Sequence, residues 1–227
     1  MIFDLFKSKP TLKKLIANGF IDIHSHILPG IDDGAKDVNE SKILIEKMRD
    51  MGFSKIIGTP HTYPGLYDNT KESIKNAFVE VENLNIENIQ VEFGTEYMLD
   101  ESIIKKARNK SLICIKDNFV LVEMSYLSEP IGLFEIIYEI KVNGFTPVLA
   151  HPERYLFIQG FKKYFKLKKY GCLFQANLLS LTDYYGTNVR ERLHKLIDKN
   201  LVDFFGSDIH GLRHISGFNK NVRYKKI

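Results

Sequence analysis

The chain has 227 residues, 44% of them hydrophobic and 26% charged, which describes an ordinary soluble globular protein with room for one large domain or two small ones. Its net charge of +4 comes mostly from scattered lysines, and the densest group, Lys162, Lys163, Lys166, Lys168 and Lys169, reads as a solvated helix face rather than a nucleic-acid patch. No apolar stretch is long enough to span a membrane, and the two cysteines, Cys114 and Cys172, read as free thiols of a reducing cytoplasm rather than a disulfide framework.

Residues 1–19 form an N-terminal extension. Its apolar core is too short for a signal peptide, and Ile2, Phe3, Leu5 and Phe6, followed by lysines, predict a short helix packed on the domain. From residue 20 onward, apolar runs alternate with helical patterns. The run 20–23 leads into His24 and His26, and a helix follows over 40–51, with Ile43, Leu44, Met48 and Met51 on one face and Gly52 as its stop. The run 55–59 precedes His61. Helix 70–84, with Asn69 as its expected cap, leads to run 90–93 and Glu96. A short helix over 100–108 comes next, then run 119–122 ending at Glu123, helix 133–142, and run 146–150 ending at His151. Helix 161–170 stops at Gly171, run 172–176 ends at Asn177, helix 189–199 stops at Asn200, and run 202–206 leads to Asp208 and His210. Only residues 211–227 follow, which is short for a closing helix, so the last unit is either abbreviated or cut short.

This alternation predicts repeated βα units and a parallel sheet. Seven units predict a closed or nearly closed barrel over residues 20–227, with the active site at the C-terminal strand ends. Six of the seven run ends carry a residue able to ligate a metal, and only the run ending at Asn177 does not. The Cys-x5-Arg loop of cysteine phosphatases is absent, because Val120 and Leu178 stand six residues after the cysteines; phosphate-binding glycine loops are absent too.

His24-Ser25-His26 places two imidazoles two residues apart, and Asp208-Ile209-His210 repeats the spacing with a carboxylate. Asp33 follows in the loop Pro29-Gly30-Ile31-Asp32-Asp33-Gly34, with its neighbour Asp32 as the alternative ligand. Glu96 competes with Glu92, which falls within its run. The candidate ligands are His24, His26, Asp33, His61, Glu96, Glu123, His151, Asp208 and His210. Imidazoles and carboxylates without thiolate suit Zn, Mn or Fe, and so many donors imply two or three ions sharing a carboxylate. Sites of that kind hydrolyse phosphate esters. Tyr63, Tyr97 and Tyr126 follow run ends and are candidates for the pocket wall, and His214 has no clear role.

These ordered motifs resemble the polymerase and histidinol phosphatase (PHP) superfamily. The strings Asp22-Ile23-His24-Ser25-His26-Ile27-Leu28, Asp32-Asp33-Gly34, Leu149-Ala150-His151-Pro152-Glu153-Arg154-Tyr155 and Gly206-Ser207-Asp208-Ile209-His210 are similar to the bacterial manganese-dependent tyrosine phosphatases of capsule and exopolysaccharide operons. The resemblance implies a distorted seven-stranded (β/α)7 TIM-like barrel holding two or three divalent ions, manganese first, with iron or zinc as alternatives. One ion would be held by His24, His26, Glu96 and Asp208. A second would share Glu96 and add Glu123 and His151, and a third would take Asp33, His61 and His210. Glu96 and Arg154 would be the catalytic groups, with Arg154 and Arg213 binding substrate. The implied activity is hydrolysis of phosphotyrosine by a metal-activated hydroxide in the cytoplasm, with a bacterial tyrosine autokinase of polysaccharide export as partner. Two alternatives stay open: a small-molecule phosphoesterase, such as a histidinol-phosphate phosphatase, and a non-catalytic metal-binding scaffold. No basic stripe flanks the motifs, which argues against a nucleic-acid partner.

Overall fold

The structure, a computed structural model, describes residues 9–223. The helix expected from Ile2, Phe3, Leu5 and Phe6 lies outside them. Within the rest of the extension, a 3-10 turn over Leu12–Leu15 buries Leu12, and the Leu12 amide donates to the Lys220 carbonyl at 2.9 Å.

The strands in chain order are β1 (Phe20–Ser25), β2 (Phe53–Gly58), β3 (His61–Thr62), β4 (Gln90–Phe93), β5 (Glu96–Met98), β6 (Phe119–Glu123), β7 (Thr146–Ala150), β8 (Leu173–Asn177) and β9 (Phe204–Gly206). They form two sheets, β1-β2-β4 and β3-β5-β6-β7-β8-β9, in which every pairing is parallel. The expected seven strands thus appear as nine segments, and neither sheet is closed. Two runs are interrupted, one at Thr59-Pro60 between β2 and β3, the other at Gly94-Thr95 between β4 and β5. Pro60 has no N–H for a ladder. Gly94 lies so close to Ile115 that an added Cβ would meet its side chain at 2.9 Å. The two interrupted runs stay bonded across the break, Gly94 N–H to the Gly58 carbonyl at 2.8 Å and Glu96 N–H to the Pro60 carbonyl at 3.0 Å. On the far side, the chain after β9 reaches β1: Asp208 N–H donates to the His24 carbonyl and His26 N–H to the Ile209 carbonyl, each at 2.8 Å.

Helices α1 (Val38–Asp50), α2 (Lys71–Glu82), α3 (Ser102–Arg108), α4 (Leu133–Val142), α5 (Lys162–Lys169), α6 (Thr187–Asp198) and α7 (Leu212–Gly217) fall between and after the strands. The six predicted helices are present with ends shifted by a residue or two, and a seventh, α7, follows β9. Asp37 caps α1, accepting from the Asn39 and Glu40 amides. Thr70, not Asn69, caps α2, in a reciprocal pair with Ser73. Asn69 instead donates to the Ile31 and His61 carbonyls at 2.8 Å each, tying the glycine-rich loop to β3.

Strand residues alternate between two apolar layers, as the pleat requires. Leu121, Val148 and Ala150 pack with Ile57 and Ile115 in a small inner cluster. Val120, Val122 and Leu149 face outward onto Ile136, Ile137 and Ile140 of α4 and Leu167 of α5. A second helix-side cluster joins α1 and α2 to Ile56 of β2. The α5 lysines line a helix face: Lys163 pairs with Glu129, Lys168 with Asp203, and Lys166 lies over the Phe134 ring. No described helix is long and apolar enough to cross a membrane.

Candidate metal centre

His24 and His26, at the end of β1, are both fully buried. Each has its Nδ1 tied on the outside. His24 Nδ1 meets Gln175 Oε1 and His26 Nδ1 meets Asp32 Oδ2, each at 2.7 Å. A carbonyl or carboxylate oxygen there takes the Nδ1 proton and leaves the Nε2 lone pair free on the inside. The two Nε2 atoms then face each other at 3.2 Å, and lie 3.1 and 3.4 Å from Glu96 Oε2 and 3.3 and 3.5 Å from Asp208 Oδ1.

The remaining ligands close around this point. His61 sits opposite Glu96 in the β3–β5 register. Its Nδ1 lies 3.2 Å from Glu96 Oε2 and 2.9 Å from Glu123 Oε1, while its Nε2 faces Asp33 at 3.4 Å. His151 Nε2 lies 3.2 Å from Glu96 Oε1, and His210 Nε2 is 3.5 Å from Asp33 Oδ1. Four overlapping groups result, each with donor atoms within 4.8 Å of one another: His26, Asp33, His61 and His210; His24, His26 and Glu96; His24, His151 and Asp208; and His61, Glu96 and Glu123. All nine candidate ligands belong to at least one group. The grouping differs from the implied sharing: His26 also joins Asp33, His61 and His210, and His151 is grouped apart from the two glutamates. Asp208 clusters with His24 and His151, and His61 reaches the two glutamates as well as Asp33. Asp32, the alternative to Asp33, is turned outward to bond His26 and the amides of Gly34 and His61.

Hydrogen bonds alone leave this cluster unsatisfied. Glu96 Oε1, His61 Nδ1 and His151 Nδ1 are buried without a hydrogen-bond partner. Divalent cations among the converging lone pairs suit the first two atoms, and the hard oxygen and imidazole donor set fits them. Without cations, protons take their place. Burial opposes charge on His24, yet the Glu96 and Asp208 carboxylates raise its pKa to about 9. Burial likewise opposes ionisation of Asp208, but His24, His210, His151 and Arg154 hold its carboxyl well below the usual range.

Arg154, in the 3-10 turn Pro152–Arg154 after β7, donates from Nη1 to Asp208 Oδ2 at 2.9 Å. Its guanidinium carbon lies 4.4 Å from the ring centroids of both Tyr126 and Tyr185, a cation–π sandwich. Glu153 points the other way and accepts from the Asn177 amide and Ser180 Oγ. Arg213 is exposed on α7 and does not line the cavity. That cavity, of about 540 Å³, is walled by ligands, Arg154, Tyr63, Tyr67, Tyr126 and His214. Leu66, on the same wall, is 62% exposed, so the mouth is open and partly apolar. Tyr97 is no part of it: its ring is buried in the core and its hydroxyl accepts from the Ile113 amide. His151 and Asp208 both have left-handed backbones, with φ of 34° and 53°.

Residues 20–217 match the CpsB/CapC family of capsular polysaccharide synthesis. The chain belongs to that family. It is 32% identical over 198 residues to CapC of Staphylococcus aureus, a match covering 85% of this chain and 77% of the relative. Its identity to the tyrosine-protein phosphatase YwqE of Bacillus subtilis is 28%, over 85% of this chain and 78% of that one. Among solved structures, those of YwqE from Bacillus subtilis and CpsB from Streptococcus pneumoniae, described as unique metal-dependent tyrosine phosphatases, give a TM-score of 0.80 at 26% identity, covering 88% of this chain and 84% of theirs. A histidinol phosphate phosphatase from Lactococcus lactis gives a TM-score of 0.55 at 13% identity, a likeness of fold alone.

Sequence reasoning about this CpsB/CapC chain overlooked the outer supports. Gln175 holds His24, and Asn177 donates from Nδ2 to Asp208 Oδ2 at 2.7 Å. Asp22, its pKa pushed up to about 6 mainly by burial, accepts from the Ser207 amide at 2.8 Å and fixes the start of the Asp208 turn. Gln175 and Asn177 come from β8, the run whose end carries no ligand. Amides in a strand give no signal of their own, but a run lacking the ligand that its neighbours carry is a place to look for ligand supports.

Proposed function

We propose that this chain is a metal-dependent protein-tyrosine phosphatase whose partner is a bacterial tyrosine autokinase of polysaccharide export, acting in the cytoplasm. The observation that carries the reading is the convergence of nine imidazole and carboxylate groups beneath an open cavity whose wall presents a clamped arginine. The fold is read as a distorted barrel of seven βα units, two of them with broken strands, over residues 20–227. It holds two or three divalent ions, manganese first and iron or zinc next. When bound, such ions polarise phosphoryl oxygens and generate hydroxide at neutral pH.

The chain's own residues supply the rest. Glu96, which reaches His24, His26, His61 and His151, is placed to be shared between ions. Gln175 and Asp32 fix the imidazoles that present Nε2 inward. Arg154 offers planar donors to the phosphate oxygens as charge moves toward the phenolic oxygen, and the tyrosines on either side hold its plane. Neither cysteine has the surroundings of a nucleophile. Burial pushes Cys172 up to about 12, and Cys114 is raised for the same reason. The open, partly apolar mouth favours a phosphotyrosine on a protein over a small enclosed metabolite.

The test is turnover of phosphotyrosine peptides against histidinol phosphate, with metal content measured on the same sample, before and after chelation. The expected result is peptide hydrolysis that disappears with the metal and returns when manganese is restored. Full activity in protein shown to be metal-free would sink the reading.

A further inference from the structure

The metal-bearing cavity does not end at its own rim. It shares Tyr63, Met98 and Ser125 with a neighbouring cavity of about 340 Å³. That one shares Glu101 and Ile131 with a third, of about 580 Å³, between α3 and the start of α4. The three form one continuous groove leading away from the ligands. Its floor is apolar in the middle cavity, where Met98, Leu99 and Ile131 line it, and mixed in the third, where Ile104 lies among Lys105, Arg108 and Glu135. Ile131 is 92% exposed. Ile131, in a groove continuous with the cavity, leaves an apolar side chain open to a bound chain.

Carboxylates border the middle of this groove, and of these Glu129 is paired with Lys163. Asp100, Glu101 and Glu129 border the second cavity, and no lysine or arginine lines it. Lys105 and Arg108 enter only at the third cavity, where Arg108 is already engaged by Glu139 at 2.7 Å.

The geometry points to this groove as the seat of the substrate residues that flank the phosphotyrosine, with a basic residue beside Glu101 and an apolar one against Ile131. The inference rests on the phosphatase reading and deepens it. The occupant follows from continuity: a peptide whose phosphotyrosine sits by the ligands has its neighbours carried directly into the groove. An apolar floor bordered by carboxylates recognises an apolar residue and a cation through burial and charge complementarity.

The experiment uses the full chain with manganese and three substrates: a phosphotyrosine peptide flanked by lysine and leucine, one of equal length flanked by glutamate and glycine, and 4-nitrophenyl phosphate, which has no flanks. Glu101→Lys and Ile131→Ser are exposed positions outside the ligand set, so neither disturbs the core. Wild-type kcat/KM is expected to favour the lysine–leucine peptide by about tenfold, since opposite-charge and apolar contacts together give a factor of that order. Glu101→Lys should erase or reverse the preference. Ile131→Ser should lower kcat/KM for the lysine–leucine peptide by about three- to tenfold. Turnover of 4-nitrophenyl phosphate should stay within about twofold, as it makes no flank contact to lose. No preference between the peptides, or variants that slow all three substrates alike, would overturn the groove assignment. A dimer in sedimentation that dissociates on Ile131→Ser would assign the surface to a second copy instead. Hydrolysis of 4-nitrophenyl phosphate without a peptide preference defeats only the groove, whereas a metal-loaded enzyme inert toward all three substrates defeats the phosphatase reading itself.

Discussion

The two halves of the metal centre are built differently from the same spacing. His24-Ser25-His26 lies on an extended strand end, both imidazoles are fully buried, and each is held from behind by a side chain. Asp208-Ile209-His210 starts from a left-handed residue, and its two side chains, 3.5 Å apart between His210 Nδ1 and Asp208 Oδ1, meet different neighbours. Asp208 faces the deep group with His24 and Arg154, while His210 stacks on the His26 ring at 3.8 Å and faces Asp33, whose side chain is 54% exposed. The deep half is over-determined by supports. The open half, with Asp33 on its loop, has a carboxylate in water. A spacing of two thus predicts that two ligands reach one site, but not that they serve the same part of it.

Breaking the deep half should cost most. Glu96→Gln is expected to lower turnover by on the order of 10²- to 10³-fold and to reduce bound metal, because a carboxylate reaching several candidate ligand groups would also set the separation of any ions held there. Asp33→Asn, in the open half, should cost about tenfold or less at saturating metal. Turnover and metal stoichiometry measured for both variants rank them, and a more damaging Asp33→Asn would reverse the contrast between halves.

Arg154→Lys sharpens the comparison at the boundary between the halves. The ions should stay, while turnover of a phosphotyrosine peptide falls by about ten- to a thousandfold, since an ammonium cannot reproduce the planar fork or fill the slot between Tyr126 and Tyr185. Wild-type turnover, or a loss that merely tracks lost metal, would remove Arg154 from the chemistry. The smallest effect is expected far from both halves. Iodoacetamide should leave the rate within about twofold, because both thiols have raised pKa values and little thiolate at neutral pH. Rapid inactivation by the reagent would argue for a thiol mechanism.

The parts legible in the sequence were those written in local pattern or in rare residue types. Periodic apolar faces gave six helices, and the eight candidate ligands picked from run ends, with Asp33 picked from the glycine-rich loop, lie together in four groups. What escaped depends on partners distant in the chain. The break at Thr59-Pro60 was hidden because the apolar run continues up to it, and the one at Gly94 lies where Ile115, distant in the chain, leaves no room for a side chain. Tyr97 and Tyr126 follow apolar runs alike in the sequence, but Tyr97 lies within β5 with its hydroxyl turned to a core amide, and the Tyr126 ring turns to the guanidinium. Arg154 had Glu153 as an obvious neighbour, yet a 3-10 turn sends the two side chains in opposite directions. Asn69 resembles a helix cap by position, and only the folded loop reveals its bonds to the Ile31 and His61 carbonyls.

Two candidate ligands, His151 and Asp208, hold backbone angles that L-residues avoid, each at a cost of about 1 kcal/mol. That local cost leaves the stability of the fold responsive to whatever occupies the site. Any cation that binds the native state and not the unfolded one offsets that cost by mass action, by about 2.7 kcal/mol at a free concentration of a hundred times its dissociation constant. In a cell short of the ion, the polypeptide would then lose not only its chemistry but its resistance to proteolysis. Its abundance would follow metal supply, and heat denaturation of the purified chain should shift upward as free manganese is titrated in.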